Sequence, residues 1–482
     1  MFGQISVLPK LLILCTLALS AILPILKYYN LNTSFYDLGV FDHNIFLYVT
    51  YGNWYWFVKS HFSPVLFVYS FIYEIIASPY VLLALQYSAV TFSAYLVYVI
   101  STKLFHNKMG LLFTVAYVVH PMYLYQIFWD FHTDHLFLPI FASIFYITEC
   151  NHSFSLAKKN ILLVILMILM VSLKENAILT AMFVGVYLLI KREYKLGLFT
   201  LLLSVIVFYC ATWYIGYDTL KYSMRYIEYI QIGEQSLFPS FYHKWGKSYS
   251  ELIQNILLHP MDLILHIVND KTRLIFCIVL LCPFLITSIL VPRFLIIAIP
   301  GLAMILLSTQ YEKATISHHY HASVFPVIFI ASIFGFKKIQ KNFAFFSKVY
   351  LVFLLVATCL YSYLYAPMPW GRFFYWNNIN NYGYSKYMPT NRSQQIKSLL
   401  SEDKIVNAAL RISFQNSIYS SYIGHRKHLD LFPKISSTTN LVIVDTKKIR
   451  NEAGLQKVTW LKSQWLTYKE YDGFFIFENP YQ

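Results

Sequence analysis

The stretch ISVLPKLLILCTLALSAILPILKYYNLNTSFYDLGVFDHNIF, residues 5–46, sets an apolar run directly before two carboxylates, Asp37 and Asp42, that lie among Phe35, Tyr36 and Phe41. The run from Ile5 to Leu26 is long enough to cross the hydrocarbon core of a bilayer. It has no small-x-small cleavage signal and continues into Lys27, Tyr28 and Tyr29, so it reads as an uncleaved first span. On one continuous helix Asp37 and Asp42 would point roughly 140° apart, so they share a face only if Leu38-Gly39 interrupts the helix. A carboxylate held among aromatic rings at a membrane edge is partly desolvated and gains the basicity a general base needs. Locally, the simpler expectation is that Asp37 caps a helix from Leu38 to about Tyr51.

Working outward, the whole chain fits a membrane setting. Its 482 residues are 57% hydrophobic and only 13% charged, with a mean hydropathy of +0.52, too little charge for a soluble chain of this size. The net charge of +15 does not imply nucleic acid, because the Lys and Arg residues fall in short clusters between apolar runs, as they do beside an anionic cytoplasmic leaflet. Cys15, Cys150, Cys210, Cys277, Cys282 and Cys359 all lie in apolar stretches without a CxxC pair, and read as small core residues.

Apolar runs that cross or nearly cross a bilayer occur at about 5–26, 80–100, 109–128, 135–150, 160–173, 175–190, 196–215, 273–291, 294–308, 319–336 and 346–366, roughly eleven spans. HFSPVLFVYSFIYEII, residues 62–77, is short and contains Pro64 and Glu74. Treating it as non-crossing, with the N-terminus inside, keeps the basic clusters at 103–108, 158–159, 191–195, 293 and 337–341 cytoplasmic. The first acidic loop, His61, the WDFHTDH loop, the KEN turn, the loop 217–271, the HHYH segment and the tail then all fall on the outer face. Ionisable groups at a membrane edge are costly and tend to be functional. The expected organisation is an all-α transmembrane domain over 1–366 and an extracytoplasmic α/β domain over 367–482. In the latter, RSQQIKSLLSE and Lys447–Gln464 read as helices, LVIVD (Leu441–Asp445) as a buried strand, and TYKEYDGFFIFEN as a hairpin turning at Asp472-Gly473.

Besides the acidic first loop, three groups carry the chemistry. WDFHTDH presents Asp130, His132, Asp134 and His135; the alternate spacing of Asp130, His132 and Asp134 on an extended loop suits one divalent cation, while a solvated turn is the plain alternative. Lys174 and Glu175 of KEN lie between two short apolar runs, where the lysine would attract a phosphate or pair with the glutamate. His318, His319 and His321 of HHYH could carry a ligand or a proton, or simply begin a helix. The abundant Tyr and Phe serve by default as an interfacial belt.

The ordered set YDLGVFD, HFSP, a DFH-containing loop, LKEN and HHYHASVFP, followed by HLDLFP and LVIVD, resembles the prokaryotic membrane-protein family known as domain of unknown function 2079. That resemblance covers nearly the whole chain, and the family in turn is similar in plan to the C-type glycosyltransferases, which place an acidic residue in the first outer loop, often carry a soluble domain after the last span and usually use polyprenyl-phosphate sugars. The resemblance implies Asp37 as base, Asp42 as a neighbour positioning acceptor or metal, and Lys174 as a phosphate contact. His61, Glu175, His318 and His319 are further substrate-binding candidates, and Asp130, His132 and Asp134 the metal candidates. Where the family has LKED this chain has LKEN, so Asn176 removes a third charge. The expected function is sugar transfer from a lipid-linked donor at the outer face of the cytoplasmic membrane. No nucleic-acid partner is expected. A transporter, or a non-enzymatic envelope-assembly protein, is the alternative; ionisable groups at one edge and no visible repeat disfavour a transporter.

Overall fold

A computed structural model of the protein describes residues 7–59, 62–151, 153–226, 240–375, 383–449 and 451–481. Among these, five helices are long and apolar enough to cross a membrane: Val7–Tyr29, Pro79–Leu104, Tyr194–Ala211, Tyr320–Asn342 and Phe345–Tyr365. A sixth span results if Asn107–Val118 and Pro121–Phe128, bent by 59°, count as one. Eleven spans are not reached by this measure. The run at 109–128 is broken because Pro121 cannot donate to the helical ladder, and His120 caps the second piece by accepting from Met122 N–H at 3.2 Å. The run at 135–150 is likewise divided into a 3₁₀ turn, a nine-residue helix Phe137–Phe145 and a π turn. Segment 62–77 holds only the eight-residue helix Leu66–Tyr73, about 12 Å of rise against a core of about 30 Å.

The Tyr320–Asn342 helix is the axis of the bundle: 83% of its apolar window is buried, against 28–44% for the other four spans. Phe325 and Phe329 pack on Tyr117 at 5.3 and 4.9 Å, and Phe284 packs on Phe329 at 5.2 Å. Outward-facing Leu14, Leu198, Leu202, Phe345 and Val352 are exposed and would contact lipid acyl chains. The cysteines also depart from expectation. All are free, and Cys15, Cys210, Cys282 and Cys359 are exposed, because they lie on helix faces turned outward from the protein core.

The tail forms a five-stranded sheet in the order β2-β1-β3-β5-β4, with β1 Ile412–Phe414, β2 Leu429–Leu431, β3 Leu441–Asp445, β4 Leu466–Tyr471 and β5 Phe474–Glu478. β1 runs parallel to β2 and β3, and β5 antiparallel to β3 and β4. β3 is LVIVD, buried at all five positions as a central strand requires. The β4–β5 hairpin turns at Asp472 and Gly473, both at positive φ (46° and 81°), the backbone that a tight Asp-Gly hairpin needs. The helices form at Asn391–Leu400, with Thr390 and Ser393 making a capping box, and at Glu452–Gln464.

Candidate active site

The peptide from Ser34 to Gly39 does not begin an ordinary helix. Phe35–Gly39 forms one π turn, followed by the helix Val40–Tyr51. Asp37 therefore lies inside the turn and is not the cap, because the N-cap position falls on Ser34. Its carboxylate is held by Ser34 Oγ, which donates to Oδ2 at 2.9 Å, and by His132 Nε2, 3.2 Å from Oδ1. π turns inside helices are frequent at functional sites.

The WDFHTDH loop is fixed by Gln86, which donates to the carbonyls of Trp129 (2.9 Å) and Ile127 (3.3 Å) and accepts from His132 N–H (3.2 Å). Asp130 does not join the metal candidates: one oxygen pairs with Lys27 Nζ at 2.7 Å and the other accepts from Ser34 N–H at 2.9 Å. Both oxygens being committed, Asp130 latches the end of the first span to the acidic turn. His319 takes its place. Its ring stacks on His132 at 3.8 Å, and Nε2 lies 3.1 Å from Asp134 Oδ2. His132, Asp134 and His319 each offer a ligand atom within 4.8 Å of the others. The Asp134 carboxylate is buried without a well-aligned hydrogen bond, and two imidazoles with one carboxylate are a donor set that suits a divalent transition metal.

Lys174 Nζ lies 3.9 Å from Asp134 Oδ2. Burial opposes the charge on each partner, yet their mutual attraction prevails: Asp134 is held well below the usual carboxylate range, helped by His319, and Lys174 above the usual range for lysine. A second buried lysine lies within the electrostatic reach of the first. Lys313 is buried, its ammonium 3.1 Å from the centre of the Phe241 ring, and burial together with the charge of Lys174 pushes its pKa down to about 7. Among the five groups Asp37, His132, Asp134, Lys174 and His319, the Asp37 side chain is the most open, 21% exposed against 3–12% for the others.

The remaining candidates lie beside this cluster. His318 packs on Trp129 (ring centres 4.3 Å), and burial, reinforced by neighbouring His319, pushes its pKa down to about 4. Glu175 accepts from Phe62 N–H at 2.7 Å, pinning the chain entering segment 62–77. His321 turns to the Met122 carbonyl, 2.7 Å away. His61 lies outside the described residues. Asp42 is fully buried in a separate network with Tyr73, Tyr419 and His425. Lys313 was not legible as a site residue, since an isolated YEKA carries no motif; its meaning comes from its burial within the field of Lys174.

The family described as "Predicted membrane protein (DUF2079)" matches residues 27–404. The chain belongs to this family. No curated protein matches it. The fold of this DUF2079 member is similar to that of ArnT from Cupriavidus metallidurans in the apo state, at 11% identity and TM-score 0.52, over 98% of this chain and 97% of ArnT. ArnT bound to undecaprenyl phosphate aligns at 10% identity and TM-score 0.50, over 96% of this chain and 97% of its own. The oligosaccharyltransferase of Archaeoglobus fulgidus aligns at 12% identity and TM-score 0.41, over 96% of this chain and 73% of its own. The likeness to ArnT gives the DUF2079 member a C-type glycosyltransferase-like membrane fold.

Proposed function

We propose that the protein transfers a sugar, or a related group, from a polyprenyl-phosphate donor to an acceptor at the extracytoplasmic face of the cytoplasmic membrane. The observation that carries this reading is the convergence of one accessible carboxylate, Asp37, with two buried lysines, Lys174 and Lys313, at one end of the bundle. Asp37 takes the proton of the acceptor hydroxyl as its oxygen attacks the anomeric carbon. The bond from that carbon to the phosphate oxygen breaks, and the electron pair leaves with the lipid phosphate, whose charge the lysines stabilise. Ser34 and His132 orient the base.

His132, Asp134 and His319 would hold a divalent cation, which supplies electrostatic stabilisation of the departing phosphate. The C-type fold supports the lipid-linked donor class, and undecaprenyl phosphate is the probe it suggests. In the test, lipids co-purifying with the protein are identified by mass spectrometry, and thermal stability is measured with added undecaprenyl phosphate. Polyprenyl phosphate in the extract and a rise in melting temperature that Lys174→Ala abolishes are expected. Neither lipid nor shift would remove the donor class.

A further inference from the structure

The tail sheet is fastened to the acidic turn rather than merely following the last span. Tyr36 N–H donates to Asn416 Oδ1 at 2.9 Å, Ser421 N–H donates to Tyr28 Oη at 3.1 Å, and His43 Nδ1 donates to the Gly424 carbonyl at 2.8 Å. Phe35 packs edge-on against Phe414, ring centres 5.3 Å apart. Tyr419 is the wedge. A Cβ at Gly39 would come within 2.8 Å of its ring, so glycine at that position is what lets the ring close on the π turn. Beyond the ring, the Tyr419 hydroxyl donates to Asp42, as does that of Tyr73. His425 completes the set: Nε2 lies 3.0 Å from Asp42 Oδ2, and the ring stacks on Phe46 at 4.8 Å. Thus a fully buried carboxylate three residues after Gly39 is sealed largely by side chains from the opposite end of the chain.

We propose that Tyr419 and His425 are positioning residues of the active site, which hold the π turn bearing Asp37 in place by gripping Asp42. The tail is then a working part of the catalytic apparatus. This rests on Asp37 being the base for its consequence, but not for its test.

The groups facing His425 and Asp42 are Tyr28, Tyr73 and Tyr419, with His43 and Arg426 behind. Burial lowers the pKa of His425 and Arg426 opposes its charge, yet Asp42 outweighs both and the pKa is raised above 6.5. A group bound more tightly to its proton in the folded state contributes its full hold below the unfolded pKa and loses it as pH rises through the folded one. The grip on the turn is therefore firm in mild acid and loosens in alkali.

Hydrogen exchange of the full-length protein in lipid nanodiscs reads the grip without a substrate, comparing the peptide 34–43 with the central-helix peptide 325–342. His425→Gln is expected to speed exchange at 34–43 by about tenfold, the worth of a charge-assisted hydrogen bond, and leave 325–342 unchanged. Tyr419→Phe, which removes one hydroxyl and no packing, should act in the same direction. His425→Lys, which restores the charge, should recover most of the protection. In the wild type, protection at 34–43, corrected for intrinsic rates, should fall as pH rises; in His425→Gln it should be flat. Unchanged exchange at 34–43 in both His425→Gln and Tyr419→Phe, an equal rise in both peptides, or a pH-independent wild type would each overturn the proposal. Should the grip be found while Asp37→Asn retains transfer, the catalytic reading fails alone.

Discussion

Asp37 and Asp42 sit five residues apart on one segment, yet the fold gives them opposite surroundings. Asp37 is held on two sides, by Ser34 and His132, with its side chain 21% exposed; Asp42 has no exposed surface and is sealed by two phenols and an imidazole. A carboxylate that must accept a proton from an acceptor needs an open side, whereas one that must hold two parts of a chain together needs none. Five residues of helical separation already turn the two side chains well apart, and the π turn Phe35–Gly39 sets Asp37 where Ser34 and His132 reach it. The strongest way to break this contrast is Asp37→Asn. Transfer should fall by about two to four orders of magnitude with melting temperature near that of the wild type, because the amide can still accept from Ser34 or His132. A well-folded variant that keeps transfer would remove Asp37 from the mechanism.

Smaller effects sharpen it. His319→Ala deletes one of three candidate ligands and should weaken divalent-cation retention by one to two orders of magnitude or more, read by metal analysis after dialysis. Asp130→Asn should leave retention unchanged, because Asp130 is spent on Lys27 and Ser34. If the wild type retains no cation, the Asp134–Lys174 pair is sufficient by itself. Asp42→Asn should cost about 1–3 kcal/mol of stability, since one amide oxygen cannot satisfy every donor that surrounds it, and should lower transfer less than Asp37→Asn. The reverse ranking would exchange the two roles.

What the sequence made legible divides along physical lines. The membrane character, the hairpin at Asp472-Gly473 and the buried strand LVIVD depend on local composition and periodicity, which a single chain displays. His132, Asp134 and Lys174 could be singled out because ionisable groups stand out in apolar surroundings. The break at Pro121 was written in the sequence as well, but a hydropathy run passes over one proline. The exchange of Asp130 for His319 was hidden, because it depends on Lys27 reaching the WDFHTDH loop, a contact 103 residues apart. Tyr419 and His425 were hidden for the same reason: 377 and 383 residues separate them from Asp42, and nothing local marks either. The capping expectation for Asp37 failed because a π turn, which has no strong periodic signature, moved the N-cap to Ser34.

The least dramatic prediction tests the lysines that complete the open region. Among the described residues no carboxylate is paired with Lys313 in the way Asp134 is paired with Lys174; burial and the charge of Lys174 bring its pKa to about 7. Its ammonium is present below that value and lost above it. A donor phosphate would satisfy it, so donor affinity should weaken as pH rises through neutrality. Between about pH 6 and about pH 8.5 the apparent KM for a polyprenyl-phosphate donor should rise by about tenfold, the value of one charge-assisted hydrogen bond, while kcat moves less. Lys313→Met keeps the apolar stem against Phe241 and should show the higher KM throughout, without the pH dependence. Because Lys174 stays charged across this range, a flat wild-type profile would mean that Lys174 alone receives the phosphate and that Lys313 serves only to pack against the aromatic rings.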